Sequence, residues 1–391
     1  MSALLTRILG RMPIGWLQLV HNKGRLAAAL AGVAFANILV FVQLGMLGAI
    51  TATTVQPYSL LKADIMISSA DSNTLEDGGN VARQYMLRAL SVPGITAAAP
   101  IYIGKLSWQV DERRSSTLMA MALPVDAGDF ISSKLRAQFL HLALPDTAII
   151  DRGTRGGSPE IFDKITLDHP VVYELNNRQI QFVDTMLVGA GFTSDGNILM
   201  ADQSFLHLFA NRSSSAPSHL LLQVEEGASV ARSIELLQQI LPTDILRIRS
   251  LADAQADDSS YQTTERPIGI IFGLGTLVGI LVGLVIVYQV LSTDVADHLK
   301  EYATFKAMGY GQPFFLGVVF EEALILAIMG FIPGILASLG LYQILEAKAG
   351  VPVDMTAARA IVVLLGTLAA CTLSGAIATR RLARADPADL F

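Results

Sequence analysis

Four apolar stretches that contain few or no charged residues constrain the fold of this chain more than any motif does. One lies near the N-terminus and three lie in the last third, with a long polar block between them. An apolar stretch of about 18 residues or more is long enough to cross the hydrocarbon core of a membrane as a helix. The sequence therefore predicts an α-helical membrane protein with four transmembrane helices in a 1+3 arrangement, and one large domain outside the bilayer.

The third apolar stretch differs from the others because it carries Glu321 and Glu322 inside it and Pro333 past its middle. The N-terminal stretch has a rival interpretation as a signal peptide, since basic residues precede it. The apolar core of a signal peptide is only about 7–15 residues long, so we interpret this longer stretch as a retained anchor. The four predicted spans are residues 26–50, 267–292, 313–345 and 359–379.

Basic residues flank both ends of the membrane part: Arg7, Arg11, Lys23 and Arg25 before the first span, and Arg380, Arg381 and Arg384 after the fourth. A cytoplasmic excess of Lys and Arg sets the orientation of spans, so both termini are predicted to be cytoplasmic. The predicted cytoplasmic segments are residues 1–25, 293–312 and 380–391, and the predicted periplasmic segments are residues 51–266 and 346–358.

The outer block, residues 51–266, is predicted to be an acidic α+β domain. It holds 17 Lys and Arg against 25 Asp and Glu, which argues against a nucleic-acid partner. The single cysteine, Cys371, cannot form an intramolecular disulfide, so a hydrophobic core must hold this domain together. Strand-like and helix-like runs alternate along it, and residues 253–265 are expected to be a polar connector to the membrane. The predicted strands are residues 64–68, 101–110, 147–150, 179–188 and 219–224, and the predicted helices are 81–90, 203–210 and 230–240.

No catalytic or cofactor signature occurs in the sequence. It has no GxxxxGK[ST] phosphate loop, no HExxH zinc pair and no GxSxG nucleophile turn. The six histidines include no pair spaced three or four residues apart, which argues against a metal site. We therefore expect no catalytic site, metal or cofactor in this chain itself.

Small residues recur at four-residue spacing in two of the predicted spans, where another helix backbone can approach closely. This pattern leaves two interpretations open, packing within the chain and a homodimer interface. The residues are Gly275, Gly279 and Gly283 in the second span, and Gly366, Ala370 and Ser374 in the fourth.

The segment between the second and third spans is predicted to be amphipathic, with Gly309 ending its helix. One interpretation is a connector lying on lipid, and the other is a docking helix for a cytosolic partner. The expected apolar face is Val295, Leu299, Tyr302, Phe305 and Met308, and the expected water-facing residues are Asp297, Lys300, Glu301 and Lys306.

Three membrane-part sequences resemble the DevC-type permeases of ABC exporters, which belong to the wider FtsX/MacB group of mechanotransmission permeases. They are WLQLVHNKGRLAAALAGVAFANILVFVQLGMLGA at residues 16–49, ADHLKEYATFKAMGYGQPFFLGVVFEEALILAIMGFIPG at 296–334 and RADPADLF at 384–391. The chain departs from the family pattern at Lys300, where proline is expected, and at Glu321, where glutamine is commoner.

The resemblance implies a bacterial inner-membrane permease subunit that exports an envelope lipid, glycolipid or small amphiphile and leaves ATP to a separate chain. It implies as partners a cytosolic DevA-like ABC ATPase, a periplasmic DevB-like membrane-fusion adaptor, a TolC-type outer-membrane channel and a second copy in a homodimer. The implied ATPase-coupling residues are Asp294, Asp297, His298, Leu299, Lys300, Glu301, Tyr302, Phe305, Lys306, Met308, Gly309 and Tyr310.

Two other classes of function stay open from the sequence. An FtsX-like regulator of a periplasmic hydrolase is the first alternative, and the large outer block counts against it. A membrane enzyme or an anchored binding domain is disfavoured because no catalytic constellation is present. Glu321 and Glu322 lie inside a span, where acidic groups are functional candidates, and they are either structural groups near the membrane surface or coupling elements.

Overall fold

The computed structural model describes residues 12–111 and 114–384. Arg7, Arg11 and residues 385–391 of the C-terminal motif lie outside the described residues. The chain divides into two compact units. The membrane unit comprises Met1–Gly48, Ile270–Ala349 and Val353–Phe391, and the outer unit comprises Ala49–Gly269 and Gly350–Pro352.

The described residues form twelve α-helices and nine strands, together with three short 3₁₀ turns. The helices are α1 Ile14–His21, α2 Lys23–Val55, α3 Gln84–Ala89, α4 Arg136–Phe139, α5 Pro159–Phe162, α6 Asp202–Leu208, α7 Val230–Ile240, α8 Leu251–Thr264, α9 Pro267–Asp297, α10 Leu299–Ala307, α11 Gln312–Ala349 and α12 Ala357–Arg384. The strands are β1 Ile65–Ser69, β2 Ile95–Asp111, β3 Arg114–Leu123, β4 Thr147–Asp151, β5 Val171–Leu175, β6 Arg178–Met186, β7 Gly196–Ala201, β8 His219–Val224 and β9 Leu246–Ser250.

Within the described part of the chain, the helices α2, α9, α11 and α12 are long and apolar enough to cross a membrane. The helix α2 begins at Lys23, three residues before the predicted span, because the Asn22 side chain accepts a hydrogen bond from the Arg25 amide at 3.2 Å and caps the helix. The helix α11 contains Pro333 and continues to Ala349. The predicted loop 346–358 is therefore shorter, at residues 350–356.

The glycines of α9 pack against α2 within the same chain. A Cβ atom added at Gly275 would lie 2.5 Å from the Gln43 side chain, and those at Gly279 and Gly283 would lie 3.1 Å from Val40 and Ala36. Small residues let two helix backbones approach this closely. The α9 stripe thus packs against α2 within the chain, as the first of the two interpretations expects.

The outer unit contains a nine-stranded mixed sheet whose strand order is β3-β7-β4-β6-β5-β2-β8-β1-β9, with a further pairing between β3 and β2. Its long strand β2 pairs with β8 through residues 95–101 and with β3 through residues 102–111. The strand β2 therefore belongs to two groups of strands. One is a four-stranded sheet with β8, β1 and β9, and the other is a closed group of six strands in which β3 pairs with β2.

Alternation along the strands places the two faces of this sheet in different cores. In β1, Ile65 and Ile67 pack under α3 and α7, whereas Met66 packs in a second cluster with Ala254 of α8. Side chains two apart in a strand share a face, which accounts for this division. A third cluster centres on Trp108, Phe162 and Phe182, which are in ring contact within the six-stranded part.

The prediction that residues 253–265 form a connector is wrong, because residues 253–264 belong to the helix α8. The Ser250 side chain accepts a hydrogen bond from the Asp253 amide at 3.0 Å and caps the helix. The buried side of α8 consists of Ala254, Asp258 and Gln262. Polar residues at four-residue spacing produce no hydrophobic periodicity, so the pattern could not indicate this helix.

Strands β3, β5, β7 and β9 were not predicted. In β3, every residue from Leu118 to Leu123 is buried, and in β7 every residue is buried. A strand covered on both faces shows no alternation. The predicted helix 81–90 is also shorter in the structure, at Gln84–Ala89.

Candidate coupling site

The turn that follows α10 is a well-defined helix stop. The Tyr310 amide donates to the Phe305 carbonyl at 3.1 Å and the Gly309 amide donates to the Lys306 carbonyl at 3.0 Å. Gly309 has a φ of +94°. These bonds and this φ define a Schellman motif, in which glycine is favoured because it has no Cβ. The Phe305 and Tyr310 rings also meet, at 5.7 Å between centroids.

The structure divides the predicted amphipathic segment between two helices. Residues 294–297 continue α9, His298 has a non-helical backbone, and α10 starts at Leu299. The residues expected on one apolar face therefore do not share a face. Val295 and Tyr302 are buried, whereas Met308 is 60% exposed and Tyr310 is 46% exposed.

The apolar side of α10 packs on protein. Tyr302, 2% exposed, lies in a cluster with Phe315 and Val318 of α11 and with Ile14 of α1. The expectation that Tyr302 belongs to a lipid-facing or partner-facing surface is wrong, because α1 and α11 cover it. Asp294 is also buried, so neither side chain is available to a partner. The side chain of Lys300 lies outside the described part.

The helix α1, which the sequence did not indicate, bridges the other elements at this end of the membrane unit. The Gln18 side chain accepts a hydrogen bond from the Tyr302 hydroxyl at 3.2 Å and donates to Glu301 at 3.4 Å. Burial raises the pKa of the Tyr302 hydroxyl, so it stays a neutral donor. Gly15 lies so close to α11 that an added Cβ would sit 2.9 Å from both Glu322 and the Val318 carbonyl.

Glu321 caps the beginning of α1 from another helix. One of its carboxylate oxygens accepts a hydrogen bond from the Trp16 amide at 3.3 Å. Trp16 is the third residue of α1, whose amide has no partner within the helix, and the preceding Pro13 supplies no side-chain cap. A carboxylate at a helix N-terminus is also favourable electrostatically. This geometry gives Glu321 a structural role.

Arg25 connects the start of α2 to the end of α9. Its guanidinium donates to Asp297 at 2.5 Å and lies 3.7 Å from Asp294. His298 contacts Asp294 through the backbone carbonyl, at 3.0 Å from Nδ1. The sequence contained all the charges of this network, but only the tertiary structure brings Arg25 to residues about 270 positions away.

Glu322 is fully buried beside this network. Asp294, Glu321 and Arg25 are the charged groups that act on its carboxyl group. The carboxyl groups of Glu322 and Asp294 lie within hydrogen-bonding range of each other, and neither Glu322 oxygen has any other partner among the described residues. The basic group that acts on Glu322 is thus Arg25, which precedes the first span.

The structure brings the sequence-predicted coupling residues to one end of the membrane unit but divides them into two groups. Asp294, Leu299, Tyr302 and Phe305 pack inward or half-inward, whereas Asp297, Glu301, Lys306, Met308, Gly309 and Tyr310 are exposed. Gln18 and Gly15 were missed. The periodicity of Gly15, Gln18 and Leu19, the buried residues of α1, is the only pattern that could have indicated them.

Within the described residues, no group of three or more His, Cys, Asp or Glu side chains could hold a metal ion. The site is therefore a set of packed helices with a buried charge network and one exposed turn. Such an arrangement suits the transfer of a mechanical displacement between elements.

Comparisons with known proteins agree with the membrane motifs. Residues 273–387, which run from α9 through α12, match the family described as FtsX-like permease C-terminal. No curated protein matches the sequence.

Solved structures similar to this chain include the periplasmic region of MacB from Actinobacillus actinomycetemcomitans, at 12% identity and a TM-score of 0.34, covering 51% of this chain and 93% of that one. The extracellular domain of the ABC-type transporter YknZ from Gram-positive bacteria aligns at 7% identity and a TM-score of 0.33, covering 48% and 98%. A domain of a putative permease protein from Porphyromonas gingivalis aligns at 13% identity and a TM-score of 0.28, covering 49% and 89%.

The family match falls on the helices that carry the motifs at residues 296–334, and it confirms the resemblance at the level of the permease family. Residues 273–387 of this chain are therefore an FtsX-like permease C-terminal domain.

Proposed function

We propose that this chain is the permease subunit of an ABC exporter of the DevC type, and that it transmits ATP-driven motion to its periplasmic domain. An ABC permease of this family implies a partner ATPase. The proposed assembly adds a second copy of the chain, a membrane-fusion adaptor and an outer-membrane channel, with both termini in the cytoplasm and a 1+3 order of spans. The proposed cargo is an envelope lipid, glycolipid or small amphiphile.

The exposed turn at Met308, Gly309 and Tyr310 is the observation that carries this proposal. Its two large side chains are among the most exposed apolar groups at this end of the membrane unit. Exposed aromatic and Met side chains are typical anchors at protein interfaces. The turn is also fixed by its Schellman bonds, so a force on it moves α10 as a unit.

The packing of α10 supports transmission from this turn to the spans. Through Tyr302 it contacts α11, and through Gln18 it contacts α1. The ion pair between Arg25 and Asp297 then ties α2 to α9. A displacement of α10 therefore acts directly on α11, and it reaches α9 through the chain connection at His298 and α2 through the ion pair.

Affinity purification of the tagged chain from mild detergent, with mass spectrometry of the co-purified proteins, tests the proposal. We expect an ABC ATPase and a periplasmic adaptor with the wild type, and a loss of about tenfold or more of the ATPase alone with Met308→Asp plus Tyr310→Asp. The control is Leu187→Asp, an equally apolar position that is 80% exposed in the outer unit, which should keep the ATPase.

Absence of any ABC ATPase from the wild-type sample would refute the proposal. Recovery of an ATPase together with a periplasmic hydrolase in place of the adaptor would favour the FtsX-like regulator. An equal loss of ATPase with the Leu187 control would show that the exposed turn is not the docking point.

A further inference from the structure

Two carboxyl groups from different spans meet in the interior of the membrane unit. Glu322 of α11 is fully buried and Asp294 of α9 is 3% exposed, and their carboxyl groups lie within hydrogen-bonding range of each other. The oxygens of an ionised carboxyl group can only accept hydrogen bonds. A hydrogen bond between these two groups therefore requires a proton on one of them.

The surroundings of Glu322 are closed and apolar. A Cβ atom added at Gly15 of α1 would lie 2.9 Å from the Glu322 Cγ atom. On α12, a Cβ atom added at Gly375 would lie 3.6 Å from both Ala323 of α11 and Leu291 of α9, and these two residues belong to one buried hydrophobic cluster. An ionised carboxyl group without a partner is costly in such a setting and takes up a proton instead.

The one arginine of this network does not balance its carboxyl groups. Arg25 donates to Asp297 at 2.5 Å and lies 3.7 Å from Asp294, so its single charge is shared before Glu322 is counted. The Nδ1 atom of His298 is 3.0 Å from the backbone carbonyl of Asp294 and 3.7 Å from its carboxylate. A proton on the pair of Asp294 and Glu322 restores the balance of charge.

The other titratable groups around the pair come from four of the helices packed at this end. They are His21 of α1, Glu301 and Tyr302 of α10, Glu321 of α11 and Cys371 of α12, together with Lys300 of α10, whose side chain lies outside the described part. The Tyr302 hydroxyl donates to Gln18 at 3.2 Å, and Glu321 accepts from the Trp16 amide at 3.3 Å. Neither of these two groups therefore supplies a hydrogen bond to the Glu322 carboxyl group.

We propose that Asp294 and Glu322 form a proton-binding site, in which one shared proton joins α9 to α11 at this end of the membrane unit. Two carboxyl groups in contact do not both ionise, and such pairs hold one proton between them. Because coupling is reciprocal, a motion that separates the two helices here releases the proton. The site does not depend on ATPase docking, so its test and the test of the proposed function fail separately.

Infrared spectroscopy of the full chain in dodecyl maltoside at pH 8 tests this site, because a protonated carboxyl group has a C=O band that an ionised one lacks. Asp258, a buried acid of the outer unit with a pKa of about 6, is ionised at this pH and does not contribute. We expect the wild type to show a band equal to one carboxylic acid per chain, which shifts in D₂O.

Glu322→Gln should lose the band, because its amide donates to an ionised Asp294 in place of the proton. Glu321→Gln is the matched control at the neighbouring position. It should keep the band, since its amide oxygen can still accept from the Trp16 amide.

Thermal unfolding followed by circular dichroism in the same detergent tests the bond itself. Glu322→Gln and Glu322→Met introduce side chains of similar size, but only glutamine can donate to Asp294. We expect the midpoint of Glu322→Met to lie about 4 °C or more below that of Glu322→Gln, because Asp294 is left buried without its partner.

A wild-type spectrum without a carboxylic acid band would overturn the site whatever the variants do, because an ionised pair bridged by water, or a proton held on His298 instead, gives no such band. An unchanged band in Asp294→Asn, where an amide replaces the carboxyl partner, would place the proton on another group and overturn the assignment. Equal midpoints for the methionine and glutamine variants would show that Asp294 and Glu322 do not bond.

Discussion

His219 and Asp258 are two buried side chains of the outer unit that hold the same residue, Leu75. His219 donates from Nε2 to the Leu75 carbonyl at 2.9 Å, and the Leu75 amide donates to Asp258 at 2.9 Å. Burial lowers the pKa of His219 to about 4 and raises the pKa of Asp258 to about 6. Both groups are therefore held in their neutral forms more strongly than in the unfolded chain.

The two pKa shifts have opposite effects on stability between pH 4 and 6. Between pH 4 and 6, Asp258 keeps its proton in the native state and loses it in the unfolded state. Its contribution to the free energy of unfolding is therefore complete below about pH 4 and is lost as the pH rises through 6. As the pH falls, His219 is protonated in the unfolded state before it is protonated in the native state. The contribution of neutral His219 to the free energy of unfolding is therefore complete above about pH 6.5 and is lost as the pH falls. Each slope amounts to about 1.4 kcal/mol per pH unit, and together they nearly cancel.

We expect Asp258→Asn to lose stability, relative to wild type, as the pH falls from 6 to 4, because only the His219 contribution remains. His219→Gln keeps a donor for Leu75 and should lose stability as the pH rises over the same interval. Urea unfolding followed by Trp108 fluorescence in a Trp16→Phe background measures both slopes. Parallel pH profiles for the two variants would contradict the assignment.

Gly15 marks a close approach of α1 to α11. In Gly15→Ala the added methyl group would meet the Val318 carbonyl, a backbone atom, so α1 must shift outward. We expect a loss of about 1–3 kcal/mol, measured as a lower thermal midpoint by circular dichroism in detergent. Gly24→Ala is the control, since its Cβ would meet only the Asn22 side chain at 3.7 Å and should be neutral or stabilising. Equal midpoints for the two variants would show that α1 is not tightly packed.

At the scale of elements, α10 depends on the stop at its end. Gly309 has a φ of +94° and open space around it, so Gly309→Ala introduces backbone strain without a steric contact. This strain amounts to about 1–2 kcal/mol, and we expect faster amide hydrogen exchange in α10. Gly311→Ala, two residues further on, has no positive φ and an ordinary contact of 3.5 Å with Pro313. It should exchange as the wild type does, and acceleration in both variants would argue against the Schellman bonds as the cause.

The elements also differ in how clearly their sequences predict them. The helix α7 and the strand β8 lie at the predicted residues. The apolar residues of α7 follow the helical period, and β8 is a short continuous apolar run of the kind that predicts a buried strand. The helix α8 was missed because Asp258 and Gln262 are the residues it buries. Its stability comes from the bonds of Asp258 to Tyr58 and Leu75, which lie far away in sequence.

At the scale of the whole molecule, the two units contain one tryptophan each. Trp16 lies in α1 of the membrane unit and Trp108 lies in the core of the outer unit. Urea weakens hydrophobic burial in water, whereas detergent keeps the helices of the membrane unit solvated and hydrogen-bonded internally.

We expect Trp108 fluorescence, measured in Trp16→Phe, to show a cooperative urea transition at a lower concentration than any change of Trp16 fluorescence, measured in Trp108→Phe. Addition of dodecyl sulfate is the control that should change the Trp16 signal. A single coincident transition for both probes would show that the units unfold together.

The sequence by itself determined the four membrane helices, the α+β character of the outer domain and the permease family. These features depend on local properties, namely the length of apolar runs and the residues of contiguous motifs. Only the tertiary structure decided that Tyr302 is buried and that Glu321 caps α1. It also decided that Arg25 pairs with Asp294 and Asp297, and that one atom of the Asn37 side-chain amide has no hydrogen-bond partner within the described part of the chain. Each of these depends on residues that are hundreds of positions apart in the chain, and no periodicity within one helix can indicate which side chain of another helix it will meet.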